Sequence, residues 1–344
     1  MLLIVAHHYV VNSGLMEYVN QEPMSARSLF YYLFGMWGKT GINCFVMITG
    51  YFMCKSRITV QKFLKLLFEV LFYNIVIYAI FLITGYQKIS LMGIFHCLWP
   101  IGSVSQGFTS CFLLFYLTIP FLNILIQNLD KRMHQLLLAL SLGIYTILGT
   151  VPVINVTFNY VTWFIVIYFI ASYIRLYPEK WFDNNKIWGW ATVVSVVLAM
   201  TSVVGCVWAS VRFDLRAGNW WSFFVADSNK FLAVAVAVSS FMWFKNLKIK
   251  QSKFINTVAA STFGVLCIHA NSDAMRQWLW KDTLNVAGQY AAEWSTALLH
   301  AFGSVAVIFA VCIVIDWLRI KFIEKPVLTG REKQRHCGSL SYED

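Results

Sequence analysis

The sequence predicts an all-α protein, a polytopic transmembrane helical bundle of about ten spans with the first truncated. Three observations carry that expectation. Of the 344 residues, 59% are hydrophobic and 12% charged, against roughly 45–50% and 25% in a soluble domain. Apolar stretches close to the length needed to cross about 30 Å of hydrocarbon as a helix recur along the whole chain. The basic residues, finally, are sorted between alternate loops. With a mean hydropathy of +0.64, the chain has too little polar surface to coat a soluble globule. A cytosolic enzyme, a disordered protein and a secreted disulfide scaffold are excluded.

The apolar stretches fall near residues 36–54, 63–85, 108–127, 135–153, 160–176, 187–209, 229–245, 255–272 and 296–318. Residues 1–11 are apolar but short for a span, and they lack the basic head and small-residue cleavage site of a signal peptide. They read as the second half of a first helix. With the start inside, the inner loops hold Lys55, Arg57, Lys62 and Lys65; Lys131 and Arg132; Arg175, Lys180 and Lys186; and Lys245, Lys248, Lys250 and Lys253. Arg319, Lys321, Lys325, Arg331, Lys333 and Arg335 follow the last stretch on the same side. The outer loops hold fewer, Arg27, Lys88, Arg212, Arg216, Lys230, Arg276 and Lys281, and they mix these with Glu17, Glu22, Asp214, Asp273, Asp282 and Glu293.

Cytoplasmic loops of membrane proteins carry the excess of Lys and Arg. The net charge of +11 is therefore read as topogenic, no nucleic-acid partner is expected, and both termini are placed in the cytoplasm. A single transmembrane domain is expected over 1–330 with a short polar tail over 331–344. The long outer segments, 14–35, 86–107, 210–228 and 273–295, carry Trp99, Trp220, Trp221, Trp278, Trp280 and Trp294. Trp favours the lipid–water interface, which suits surface-lying helices or lids. The eight cysteines are scattered singly, without the spacing of a zinc site. They read as small hydrophobes, and no metal is expected.

Polar groups inside apolar stretches are costly and therefore informative. His7 and His8 lie in the first stretch, and adjacent helical residues point about 100° apart, so only one of them can face a bundle centre. Histidine titrates nearest neutrality and can act as a general base. Lys39 and Asn43 open the second stretch; Lys39 either snorkels or lines a cavity. Glu69 follows Lys65 by four residues, a spacing that allows a pair on one helix. Asn74 and Asn123 suit interhelical hydrogen bonds. Asp227, Ser228 and Asn229 are placed to cap the next helix, His269 lies near an outer end, and His96 and His300 read as interfacial. Arg57, Lys62 and Lys65 cluster after the second stretch. Topogenesis accounts for them, yet Lys62 and Lys65 share a helix face and can also hold a phosphate as point charges.

These residues resemble the bacterial integral-membrane acyltransferase-3 family over nearly the whole chain. The resemblance runs through residues 1–9 (MLLIVAHHY), 43–52 (NCFVMITGYF), the basic turn with Lys62 and Lys65, and Phe112, Tyr116, Pro120 and Asn123. It continues through Trp163, Tyr168 and Tyr173 to residues 261–269 (STFGVLCIH) and Asp316 with Arg319. What it implies is transfer of an acyl group, often acetyl, from cytosolic acyl-CoA to a hydroxyl of a surface polysaccharide or lipid-linked sugar, in the bacterial cytoplasmic membrane. Acetyl-CoA or another acyl-CoA would be a co-substrate; no permanently bound cofactor is expected, and membrane lipids complete the partners. The family's signature, an arginine followed after ten residues by a histidine, sets its histidine on His8 and its arginine four residues before Met1. The chain is therefore expected to start too late within its first helix. Cys111-Phe112 stands where relatives commonly carry Trp-Phe.

On this reading His8, with His7 beside it, is the catalytic base. Lys62, Lys65 and Arg57 bind the coenzyme, and Lys39, Asn43, Tyr116, Asn123 and His269 line the substrate cavity. The competing reading is a multi-pass transporter or flippase for a polysaccharide precursor. Transporters often carry matched broken helices in two inverted halves, and no such halves are visible here.

Overall fold

The structure, a computed structural model, describes residues 1–105, 107–214 and 220–326. Arg216, Cys337 and the expected tail 331–344 lie outside the described residues, as does the side chain of Trp220. Every regular element described is helical. In chain order the α-helices are α1 (Leu2–Val11), α2 (Leu15–Val19), α3 (Ala26–Gly35), α4 (Gly38–Met53) and α5 (Val60–Ile83). They continue with α6 (Leu91–Leu98), α7 (Phe108–Gln127), α8 (Lys131–Leu142), α9 (Tyr160–Leu176) and α10 (Asn185–Arg212). The last are α11 (Phe231–Lys245), α12 (Lys253–Ala260), α13 (Thr262–His269), α14 (Asp273–Arg276) and α15 (Trp294–Arg319). Wider π turns extend α8 over Gly143–Leu148, α14 over Gln277–Thr283 and α15 over Ile320–Glu324.

Local chemistry sets many of the starts. A helix leaves its first N–H groups without intrahelical partners, and a side-chain oxygen just before it can accept from them. Ser25 does this for α3, Thr59 for α5, Ser90 for α6, Asp130 for α8, Asn159 for α9 and Ser272 for α14. The start of α11 differs from expectation. Its N-cap is Lys230 without a side-chain cap bond, and the polar run before it reaches sideways instead. Asn229 Nδ2 donates to the Tyr145 carbonyl at 2.8 Å and the Ser228 carbonyl accepts from Asn43. These groups brace neighbouring helices rather than cap their own.

The core is built on α4 and α9. Trp163, Phe164, Ile167, Tyr168 and Ala171 of α9 and Val46 and Met47 of α4 are fully buried. Gly50 lets the two helices close, because a Cβ there would sit 3.0 Å from the Ala171 Cβ and 3.3 Å from the Tyr168 Cα. Small residues allow the same close approach in membrane helix packing generally. α11 packs on the other side of α4 and against α10, where the hydroxyls of Ser195 and Ser239 meet at 3.0 Å. α1 lies across α3, α4 and α15.

A helix or broken helix stands at each of the ten apolar stretches, but length does not support about ten spans. Among the described residues four helices are long and apolar enough to cross a membrane: Val60–Ile83, Phe108–Gln127, Asn185–Arg212 and Trp294–Glu324. Lys253–His269 with Asp273–Ala291 makes a fifth if a 93° bend is counted within one span. Leu2–Val11, Tyr160–Leu176 and Phe231–Lys245 are apolar but shorter. At 1.5 Å per residue the 16 residues of α4 reach only about 24 Å. Several of the apolar stretches are thus carried by helices shorter than a full span.

Candidate active site

α1 carries its two histidines to different partners, as the 100° step between them requires. His7 turns to the junction of α3 and α4, where its Nδ1 donates to the Gly35 carbonyl at 2.6 Å. The start of α4 must be bare for this: a Cβ on Gly38 would run into the His7 ring. His8 turns to the end of α13, and its Nδ1 lies 3.0 Å from Nε2 of His269.

The direction of protons along this pair follows from the last acceptor. Nδ1 of His269 is 2.6 Å from the Val265 carbonyl. A carbonyl only accepts, so His269 Nδ1 carries the hydrogen and its Nε2 holds a lone pair. His8 Nδ1 must then donate to that lone pair, which leaves His8 Nε2 unprotonated. No described residue takes up that nitrogen. The network thus assigns both tautomers and presents one imidazole lone pair. His269 is fully buried, whereas His8 is half-buried. Behind the pair, fully buried Trp280 stands edge-on to His269 and to Tyr9, and the Tyr9 hydroxyl meets His300 Nδ1 at 2.8 Å. His300, read as interfacial, thus has a defined partner. Lys39 and Arg276 both lie within electrostatic reach of His8.

The other sequence candidates divide between structural ties and a basic turn. Lys39 donates from Nζ to the Tyr160 hydroxyl at 2.6 Å. Buried Asn43 gives a hydrogen to the Ser228 carbonyl at 2.7 Å and accepts from Trp163 Nε1 at 2.9 Å, so both ends of its amide are engaged. Asn123 donates to the carbonyls of Met53 and Ser56 at 3.2 and 3.3 Å and accepts from the Tyr168 hydroxyl. It fixes the basic turn against α7 and α9. Tyr116 packs beside Phe63 and Phe112.

At the turn, Arg57 and Lys62 are exposed, and Lys62 Nζ donates to the Arg57 carbonyl at 2.8 Å. Lys65 does not pair with Glu69 as its spacing suggested; its Nζ meets Glu324 at 2.7 Å. Glu69 faces Arg319 at 3.3 Å, and Arg319 also binds Asp316 and Glu324, each at 2.8 Å. The guanidinium presents five donors in a fixed fork and can serve all three carboxylates at once, which is why it displaces the local pair.

Gly38, against His7, and Lys55, in the basic turn, mark opposite ends of α4, about 24 Å apart by helix rise. A file of rings runs from the basic turn to the middle of α4. Phe263 of α13 packs on Phe45 and Phe112, Phe112 on Tyr116, and Tyr116 on Phe63, the neighbour of Lys62. Among the described residues no group of three or more His, Cys, Asp or Glu is placed to hold a metal ion. Sequence reasoning missed the union of His8 with His269, the Tyr9–His300 contact and the Glu69–Arg319–Glu324 cluster. Asp316 and Arg319, three apart, were the one local signal for the last.

The arrangement is an all-helical membrane protein with an oriented imidazole at one end of a central helix and a basic turn at the other. The family model of the acyltransferase domain, acyltransferase-3, matches residues 1–317, and the chain belongs to that family. Its activity is acyl transfer. No curated protein and no solved structure matches the chain.

Proposed function

We propose that the chain is an O-acyltransferase that moves an acyl group, acetyl in the simplest case, from acyl-CoA to a hydroxyl of a glycan or lipid-linked sugar. The observation that carries this reading is the free Nε2 of His8, set by the His269–Val265 relay. The acceptor oxygen attacks the thioester carbonyl while His8 Nε2 takes the hydroxyl proton. The tetrahedral intermediate collapses with cleavage of the C–S bond, and the imidazolium returns the proton to the departing thiolate. Positioned bases of this kind contribute about 10²–10⁴-fold.

His269 is the positioning residue that keeps His8 in the useful tautomer, and His7 anchors α1. Arg57 and Lys62 hold the coenzyme phosphates, with Lys65 joining when it exchanges Glu324 for phosphate. The acyl end of the coenzyme passes along α4 toward the imidazole, with the ring file as part of its apolar wall. Lys39, Asn43, Tyr116 and Asn123 support this passage. The termini and basic turn lie in the cytoplasm, where acyl-CoA is made.

The test is acetyl-CoA binding and hydrolysis by the purified chain in lipid nanodiscs. Binding that weakens in Lys62→Ala, with turnover lost in His8→Ala, is the expected result. A folded chain that binds no acyl-CoA of any chain length overturns the reading. Flux of a sugar precursor without coenzyme would then favour transport.

A further inference from the structure

A cavity of about 580 Å³ lies between α5, α6, α7 and the bend that joins α13 to α14, inside the ~300–1,000 Å³ range of ligand sites. None of the residues assigned to the coenzyme or the base lines it. We infer that this cavity binds a saccharide unit of the acceptor, a neutral polyhydroxylated ligand met at the membrane surface. Calling it the acceptor rests on the acyl-transfer reading above.

Its polar atoms are placed for hydroxyls. Asn271 Nδ2 donates to Asn74 Oδ1 at 3.0 Å and to the Cys267 carbonyl at 3.1 Å. That leaves the Asn74 amide nitrogen and the Asn271 amide oxygen, one donor and one acceptor, without a partner among the described residues. Gln87 and His96 add further groups of both kinds to the wall. Trp99, half exposed and stacked on Phe95, offers an aromatic face of the sort on which the C–H face of a sugar ring lies. The two charged residues of the wall, Arg276 and Asp273, pair with each other. A neutral ligand leaves that balance undisturbed.

Position ties the cavity to the base. Cys267 and Asn271 of the wall flank His269 in sequence, and Arg276 of the wall lies within electrostatic reach of both His8 and His269. His269 points away from the Cys267–Asn271 side of its helix, but α13 stops at His269. A ligand of two or more sugar units can therefore rest one unit in the cavity and pass its neighbour over the bend to His8. The roof sets the level in the membrane. α6 has no buried residue; Gly93, His96 and Cys97 face the cavity, while Leu91, Met92, Phe95 and Leu98 are exposed. This apolar face continues the exposed Ile80 and Ile83 of α5, as an interfacial helix requires.

Cys97 makes the cavity observable. The chain in nanodiscs is labelled with a maleimide, with and without a panel of methyl glycosides and disaccharides. Labelling is followed at the Cys97 peptide by mass spectrometry, with half-buried Cys206 of α10 as internal reference. At least one saccharide is expected to slow Cys97 labelling about threefold or more, the effect of filling two thirds of the sites. Cys206 should be unaffected, and protection should vanish in Asn271→Ala and in Trp99→Ala. Trp99 is half exposed, so its loss leaves thermal unfolding unchanged and separates binding from folding. No protection by any saccharide overturns the inference, as does protection that survives both substitutions. Binding of acyl-CoA of several chain lengths, measured on the same unmodified sample, separates the two readings. Acyl-CoA binding without protection removes the cavity site alone, and protection without binding of any acyl-CoA removes acyl transfer while the saccharide site stands.

Discussion

At the scale of single residues, a line of hydrogen bonds that ends at the Val265 carbonyl sets the chemistry. Because that carbonyl cannot donate, each imidazole before it is fixed in one tautomer, and the free lone pair is pushed to His8 Nε2. Replacing His8 with Ala removes the base, and transfer should fall by about 10²–10⁴-fold with coenzyme affinity retained. His269 acts only through His8, so its variants should grade. Gln at 269 still offers an oxygen to accept from His8 Nδ1 and should retain more activity than Ala, with His8→Ala lowest. Initial rates at saturating acetyl-CoA give the order, and equal rates for the Gln and Ala variants would remove His269 from the mechanism. The sign of the pH response is also fixed. Protonation of His8 abolishes the base, so transfer should rise with pH through its titration and level off above it; a rate that falls over this range contradicts the assignment.

At the scale of elements, the angle between α1, α3 and α4 is what delivers His8 to α13, and glycines set it. Gly35 leaves room for Val10, whose side-chain carbons would lie 2.8–3.0 Å from a Cβ there, and Gly38 leaves room for the His7 ring. Gly38→Ala forces α1 off α4, with a cost of about 1–3 kcal/mol as for other overpacked contacts. The expected readout is a lower melting temperature together with lost turnover. An unchanged melting temperature would mean that α1 is free to move. Much at this scale was legible in the sequence: the apolar stretches match every long helix, Asn123 does bridge helices while Asn74 ties α5 to the bend after α13, and the two histidines do diverge. What was not legible involves partners far apart in the chain. His8 and His269 are 261 residues apart, and nothing in either segment names the other. Lys65 and Glu69 failed for a related reason, since spacing identifies an available neighbour but not the stronger competitor that tertiary folding supplies.

At the scale of the whole molecule, a buried knot of charge joins the first turns of α5 to the end of α15. Glu69, Asp316 and Glu324 are all buried around Arg319, the Tyr73 hydroxyl donates to Asp316 at 2.8 Å, and Gly264 of α13 packs directly on the Asp316 carboxylate. Removing one partner from such a cluster leaves uncompensated charge and costs about 3–5 kcal/mol. Arg319→Ala should therefore prevent stable folding, read as loss of a cooperative melting transition in detergent. Glu324→Gln is the more informative change. It removes one carboxylate from a group with more acids than Arg319 can match, and frees Lys65, which is half exposed on its side-chain surface. If Glu324 and coenzyme phosphate compete for the same ammonium, acetyl-CoA should bind this variant about two- to fivefold more tightly, the range expected for a partly exposed pair. Binding should also become more sensitive to salt, because a larger share would come from an exposed charge. Titration of acetyl-CoA at low and high ionic strength measures both effects. Unchanged affinity would show that Lys65 serves the fold alone and leave the phosphates to Arg57 and Lys62. The knot would then be a structural clasp, set beside the coenzyme site rather than within it.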